Sequence, residues 1–167
     1  WSPMCDKRLH RLVSYIKSSN HLRMIGWVGD PLNKVHPSLY ADADFAGCVD
    51  TQRSTSGVHS VLTGERTCFP LRGQSKRQGS TALSTPEAEI VAINDALKTV
   101  GLPSLQLWEA LLPDPVTLYV HEDNQAMIRI AETGRNPTMR HLQRCHRVSI
   151  AWIAEQCKNP QVYLFYE

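Results

Sequence analysis

The stretch Ser38-Leu-Tyr-Ala-Asp-Ala-Asp44 alternates without a break. Leu39, Ala41 and Ala43 fall on one face, and Tyr40, Asp42 and Asp44 on the other, which is the period of a half-buried β-strand. Two carboxylates therefore close the strand on the same side, and periodicity does not choose between them. Either can instead start the turn into Gly47. Upstream, Leu9, Leu12, Val13 and Ile16 recur at helical spacing between Met4 and Ser18, predicting an amphipathic helix. His21 to Val28 reads as a strand and Asp30 to Asn33 as a turn. Downstream, Thr51 to Gly57 reads as a polar loop, and Val58–Thr63 and Thr67–Leu71 as strands that turn at Gly64-Glu65. Ser84 to about Leu112 reads as one long helix or two, broken near Gly101-Leu-Pro103. Val116–Val120 follows as a strand, Asn124–Glu132 as a helix and Gly134–Pro137 as a breaker. Thr138–Gln156 reads as a single helix with Leu142, Val148, Ile150, Trp152 and Ile153 as its apolar set, and Val162–Phe165 as a closing strand. That order implies an α/β domain, a mixed sheet with helices packed on it.

At 167 residues and 42% hydrophobic content the chain suits one domain with a sizeable core, and a net charge of +2 points to no partner class by itself. The charge is uneven, however. Arg135, Arg140, Arg144 and Arg147, with His141 and His146, form a basic stretch, and Lys76-Arg77 a smaller one. On charge alone these are either solvated faces or a local phosphate-binding surface. If Thr138–Gln156 is one helix, Arg140 and Arg144 share a face. Five cysteines without CxxC spacing read as reduced thiols of an intracellular protein, in the cytoplasm or nucleus. Cys145-His146 with His141 lacks a second ligand pair, which argues against zinc. No signal pattern or long apolar run argues for a membrane anchor. The ends at Trp1 and Glu167 read as cut from something longer.

Three acidic segments carry the chemistry: Tyr40-Ala-Asp-Ala-Asp44, Ser84-Thr-Pro-Glu-Ala-Glu89 and His121-Glu-Asp-Asn-Gln125. Each lies where a strand ends or a helix begins. Clustered carboxylates repel, so a cation between them is implied, and hard oxygen ligands suit Mg²⁺ or Mn²⁺. Within the second segment, Ser84 and Glu87 form a capping-box pattern with Pro86 in the first turn, which explains Glu87 structurally. Glu89 is not explained that way. It shares a helix face with Ile93, Ala96, Leu97 and Val100, and a carboxylate on a buried stripe is costly without a partner. Asp123 reads either as a helix N-cap or as a third ligand. Glu122 alternates onto the other face of its strand and looks peripheral.

Tyr40-Ala-Asp-Ala-Asp-Phe-Ala-Gly47, Arg53-Ser-Thr-Ser-Gly57, Ser75-Lys-Arg-Gln78, Ser84-Thr-Pro-Glu-Ala-Glu89 and Asp123-Asn-Gln-Ala126 resemble, in order and spacing, the ribonuclease H domain of copia-type LTR-retrotransposon polyproteins. The resemblance runs from near Trp1 to Glu167. It implies a ribonuclease H-like mixed five-stranded sheet flanked by helices over residues 35–167. Residues 1–34 would be a helix and strand similar to the tail of the reverse-transcriptase region. The family's three carboxylates fall on Asp42, Glu89 and Asp123. Its fourth, in an Ala-Asp-x-x-Thr-Lys motif after the last strand, would lie beyond Glu167, as would a C-terminal helix. The family's Lys-His-Ile-Asp segment reads Arg140-His-Leu-Gln143 here.

The resemblance implies Mg²⁺-dependent hydrolysis, with Mn²⁺ as substitute, of the RNA strand of RNA–DNA hybrids during reverse transcription. Asp42, Glu89 and Asp123 would converge on the metal. Asn124, Gln125, Ser80 and Thr81 are candidate readers of the hybrid, and Lys76, Arg77 and Arg140 candidate phosphate contacts. The reverse-transcriptase region of the same polyprotein is the implied partner. The alternative is a domesticated domain with idle carboxylates, retained as a structural or nucleic-acid-binding subunit of a larger assembly.

Overall fold

The computed structural model describes residues 1–167. Strand β1 (His36–Asp44) is central, and its burial alternates as the sequence requires, with Leu39, Ala41 and Ala43 buried while Asp42 and Asp44 are exposed. It pairs antiparallel with β2 (Thr55–Thr63), which pairs antiparallel with β3 (Cys68–Arg77). On its other side β1 pairs parallel with β4 (Leu118–Glu122), which pairs parallel with β5 (Val162–Tyr166). The five-stranded order is β3-β2-β1-β4-β5. In the β1–β2–β3 meander the chain turns tightly from β2 to β3 at Gly64–Thr67 and passes from β1 to β2 through the longer loop Phe45–Ser54. The two parallel steps need helical crossovers, and these place helices on the sheet face that carries Leu39.

Helix α2 (Thr85–Ala96) packs on β1 and β2. A π-helical turn, Leu97–Gly101, then leads into α3 (Leu102–Leu111). The chain thus runs on as one interrupted helix, because Pro103 has no N–H to give and Leu102 donates five residues back to Leu97. Gly101 lies where the helix meets the sheet, and a Cβ there would come within 2.8 Å of Leu39 Cδ2 and 2.9 Å of Leu118 Cδ2. Gly101→Ala is expected to cost about 1–3 kcal/mol by overpacking. A urea titration checks this, and an unchanged midpoint would show that the contact is slack.

Four expectations need correction. His21–Val28 makes one isolated bridge, Trp27 to Cys68, and is not a strand; just past it the N–H groups of Gly29 and Asp30 go to Thr67 Oγ1 instead of a ladder. The loop at Thr51–Gly57 ends early: Thr55 and Ser56 pair with Arg77 and Lys76, so both hairpin strands are longer than their apolar cores. Thr138–Gln156 is not one helix. It divides into a 3₁₀ turn at Pro137–Met139, a short α5 (Leu142–Cys145) and α6 (Ile150–Cys157), with Ser149 capping α6 through Trp152 N–H. Arg147, at φ 58°, makes the break. Arg140 therefore lies outside the helix carrying Arg144, and the shared face does not exist. Helix α4 (Gln125–Thr133) follows the sequence and ends at Gly134, whose left-handed φ of 69° suits glycine. Helix α1 (Pro3–Ser19) forms as expected but buries no residue. No helix is long and apolar enough to cross a membrane.

Candidate active site

Strands β1 and β4 run parallel side by side, so their C-terminal ends bring Asp42 and Asp123 to one edge of the sheet. Asp44 is occupied otherwise. Its carboxylate lies over Gly47, where any Cβ would overlap it. Helix α2 begins at the same edge. Ser84 caps it by accepting from Glu87 N–H at 3.4 Å, and Glu89 follows one half-turn on, 4% exposed. Ile93, Ala96, Leu97 and Val100 are buried as expected, but so is every residue from Glu87 to Asn94, so α2 is covered all round rather than along one stripe.

Glu89 carries the electrostatic mark of the site. Burial pushes its carboxyl up to about 7, and the charges of Asp42 and Asp123 push the same way, against the N–H of Ala43. One of its oxygens, Oε2, is buried with no hydrogen-bond partner. Such an atom is costly unless a donor or cation meets it.

Asp123 is exposed and does not cap α4. Asn124 does, its Oδ1 accepting from Met127 N–H at 3.0 Å. That removes the N-cap explanation of Asp123, and it commits the side-chain oxygen of Asn124 to the helix. Gln125 opens α4 and is exposed.

Glu122 corrects the sequence reading outright. It is 1% exposed, and its pKa rises to about 8, chiefly from burial, with Glu89, Asp123 and Asp42 adding to it. Its Oε1 accepts from Asn124 N–H at 3.1 Å, while Oε2 has no partner. Asp42, Glu122, Asp123 and Glu167 line one cavity of about 260 Å³ with Tyr40 and His121. His121 stacks on Tyr40 at 4.2 Å between ring centres, and its Nδ1 lies 3.3 Å from Glu167 Oε2. The alternation of β4 did place Glu122 on the inner face. The missing signal was that the end of β4 lies beside the end of β1, which brings Glu122 near Asp42 and Glu89.

These acids act on one another's charge, yet no three acidic, imidazole or thiol side chains are arranged as a ligand set for one ion. Convergence on a single point, expected from the sequence, is not observed. The donor chemistry nevertheless suits a hard divalent cation: all are carboxylate oxygens, and two of them are buried without partners. All five cysteines are free thiols.

The remaining candidates are dispersed. Lys76 and Arg77 end β3 and are exposed, as are Thr81 and Arg140. Ser80 donates its hydroxyl to the carbonyl of Cys145 at 2.7 Å and so serves structure first. His141 and His146 turn inward rather than join a basic face, and Glu87 meets both. The capping box is thus half formed: Ser84 caps, but the Glu87 side chain goes to the histidines.

No family model matches the sequence. In fold, the chain superposes on the ribonuclease H domain of PFV, with a TM-score of 0.53 at 17% identity over 80% of this chain and 79% of that one. The fold is that of ribonuclease H. LC11-RNase H1, isolated from compost, shares the ribonuclease H fold at a TM-score of 0.51 and 20% identity, over 81% and 84% of the two chains. Prototype foamy virus protease–reverse transcriptase gives 0.53 at 18% identity, over 84% of this chain and 18% of that one. In sequence, 57 residues are 46% identical to secreted RxLR effector protein 161 of Plasmopara viticola. That match covers 34% of this chain and 37% of the relative, so the chain spans little more than a third of that protein's length.

Proposed function

We propose that this chain is a divalent-metal-dependent ribonuclease H, hydrolysing the RNA strand of RNA–DNA hybrids, from a copia-type LTR-retrotransposon polyprotein. The single observation that carries the reading is Glu89, a carboxylate buried with an unpartnered oxygen on a ribonuclease H sheet, its pKa raised first by that burial and then by the charges of Asp42 and Asp123. Asp42, Glu89 and Asp123 would hold Mg²⁺ or Mn²⁺, with Glu122 behind them. When bound, the metal would activate water and stabilise charge on the leaving oxygen.

The chain's own residues supply the rest. Asn124 N–H fixes Glu122. Lys76, Arg77 and Arg140 reach phosphates, and Thr81 and Gln125 stand free to meet the hybrid, while Ser80 and Asn124 contribute by holding their loops. The reverse-transcriptase region is the partner that exposed α1 would meet. The absence of a ready ligand set favours, as a second reading, an idle binding subunit.

The test is a labelled RNA strand offered alone, in RNA duplex and in RNA–DNA hybrid, with Mg²⁺, Mn²⁺ or EDTA. Cleavage confined to hybrid and to divalent metal is expected. Hybrid binding with no cutting in either metal would leave only the subunit reading.

A further inference from the structure

Arg147 holds a left-handed backbone at φ 58° although it is not glycine. That conformation is strained for an L-residue, and such strain collects where a side chain must be placed. The segment around it is pinned from beneath. Leu142 and Val148 are each 1% exposed, and Ser80 holds the Cys145 carbonyl. Glu87, also 1% exposed, sets its Oε1 3.1 Å from His141 Nε2 and 3.2 Å from His146 Nε2. The first contact is a hydrogen bond. The second is close enough for an ion pair but out of line, so His146 Nε2 donates no hydrogen bond.

The opposite wall hangs from the next residue of the same helix. Gln78, 4% exposed, donates Nε2 to the Ala88 carbonyl at 2.9 Å and to Ser56 Oγ at 3.0 Å, which fixes Lys76-Arg77 at the end of β3. Between the walls lies a cavity of about 400 Å³ bordered by Lys76, Arg77, Ser80, His146 and Arg147. Its lining holds one lysine and two arginine side chains against one carboxylate, Asp95. That excess suits a phosphodiester backbone, which arginine grips in a fork.

We infer that this cavity is a phosphate cradle for nucleic-acid backbone, and that Glu87 is its positioning residue, holding Arg147 opposite Lys76 and Arg77. The inference rests on the nucleic-acid reading above but not on cleavage. It also adds Arg147 to Lys76 and Arg77 as the third cation of this cavity.

The test measures binding of a short RNA–DNA hybrid in EDTA across a KCl series. Arg147→Gly relieves the left-handed strain, so its melting temperature should hold or rise, while the salt slope of log K falls by about 1. Glu87→Gln should lower the same slope, and the double variant should bind no worse than Arg147→Gly alone, because Glu87 acts through Arg147. An unchanged slope in folded Arg147→Gly, effects that add in full, or no hybrid binding by the parent chain would each overturn the cradle. A chain that shows this pattern yet never cuts keeps the cradle and loses the nuclease reading. One that cuts with an unaltered slope does the reverse.

Discussion

Asp42→Asn is expected to reduce metal-dependent cleavage of hybrid RNA by about 10³-fold, roughly 4 kcal/mol of transition-state stabilisation, with the fold intact. The amide keeps the shape of the side chain and removes the charge that would hold the metal. Asp42 is exposed on the tail of β1, paired to Gly57 in the ladder, so no core contact is lost. Its charge also presses on Glu89. Removing it should therefore leave the melting temperature of the metal-free protein unchanged or raised. Asp44→Asn serves as the control, since that carboxylate lies against Gly47, and it should cut nearly as the parent does. Equal losses from the two substitutions, under single-turnover conditions, would show that the assignment to Asp42 is wrong.

Metal-free protein is expected to lose about 2–3 kcal/mol of stability between pH 6.5 and 8, and Mg²⁺ is expected to restore most of it. Glu89 and Glu122 hold their protons in the folded state up to about 7 and about 8, whereas in the unfolded chain both ionise near 4.5. Across that interval the folded state binds more protons than the unfolded one, so stability falls as pH rises and levels off above about 8. His36 and His121, both lowered by burial, act in the opposite direction below 6.5, which makes the upper window the clean one. A divalent cation that meets the ionised carboxylates adds binding free energy to the folded state and has most effect at high pH. Thermal melts at pH 6.5 and 8, each in EDTA and in Mg²⁺, separate the terms. A flat profile in EDTA would mean that the two glutamates are not held as described. A sloping profile that Mg²⁺ leaves untouched would remove the metal from the account.

What the sequence made legible is what depends on local period. Ser38–Asp44 alternates, so β1, its buried face and its acidic end could be read directly. Glu89 stood out because helical spacing placed it among Ile93, Ala96, Leu97 and Val100, where an acid needs a reason. Features that escaped are non-local or conformational. Glu87 fits a capping pattern, and Ser84 does cap, but its carboxylate answers to His141, 54 residues away. No local pattern could weigh that contact against the cap. Arg147 breaks a helical pattern without the glycine or asparagine that normally announces a left-handed residue. Asp123 looked like an N-cap because two candidate caps are adjacent, and Asn124 takes the role. Glu122 was set aside by a correct alternation argument whose consequence, burial among other acids, appears only when β4 is laid beside β1.

Crystals of the 167-residue chain equilibrated with Mn²⁺, and measured at the manganese absorption edge, should show an anomalous peak bounded by the carboxylates of Asp42, Glu89 and Asp123. Glu89 Oε2 should be among its ligands, and Glu89→Gln should show no peak there. A map without manganese at this edge of the sheet, or with the ion held elsewhere while Glu89 Oε2 stays unpartnered, would contradict the metal-dependent reading.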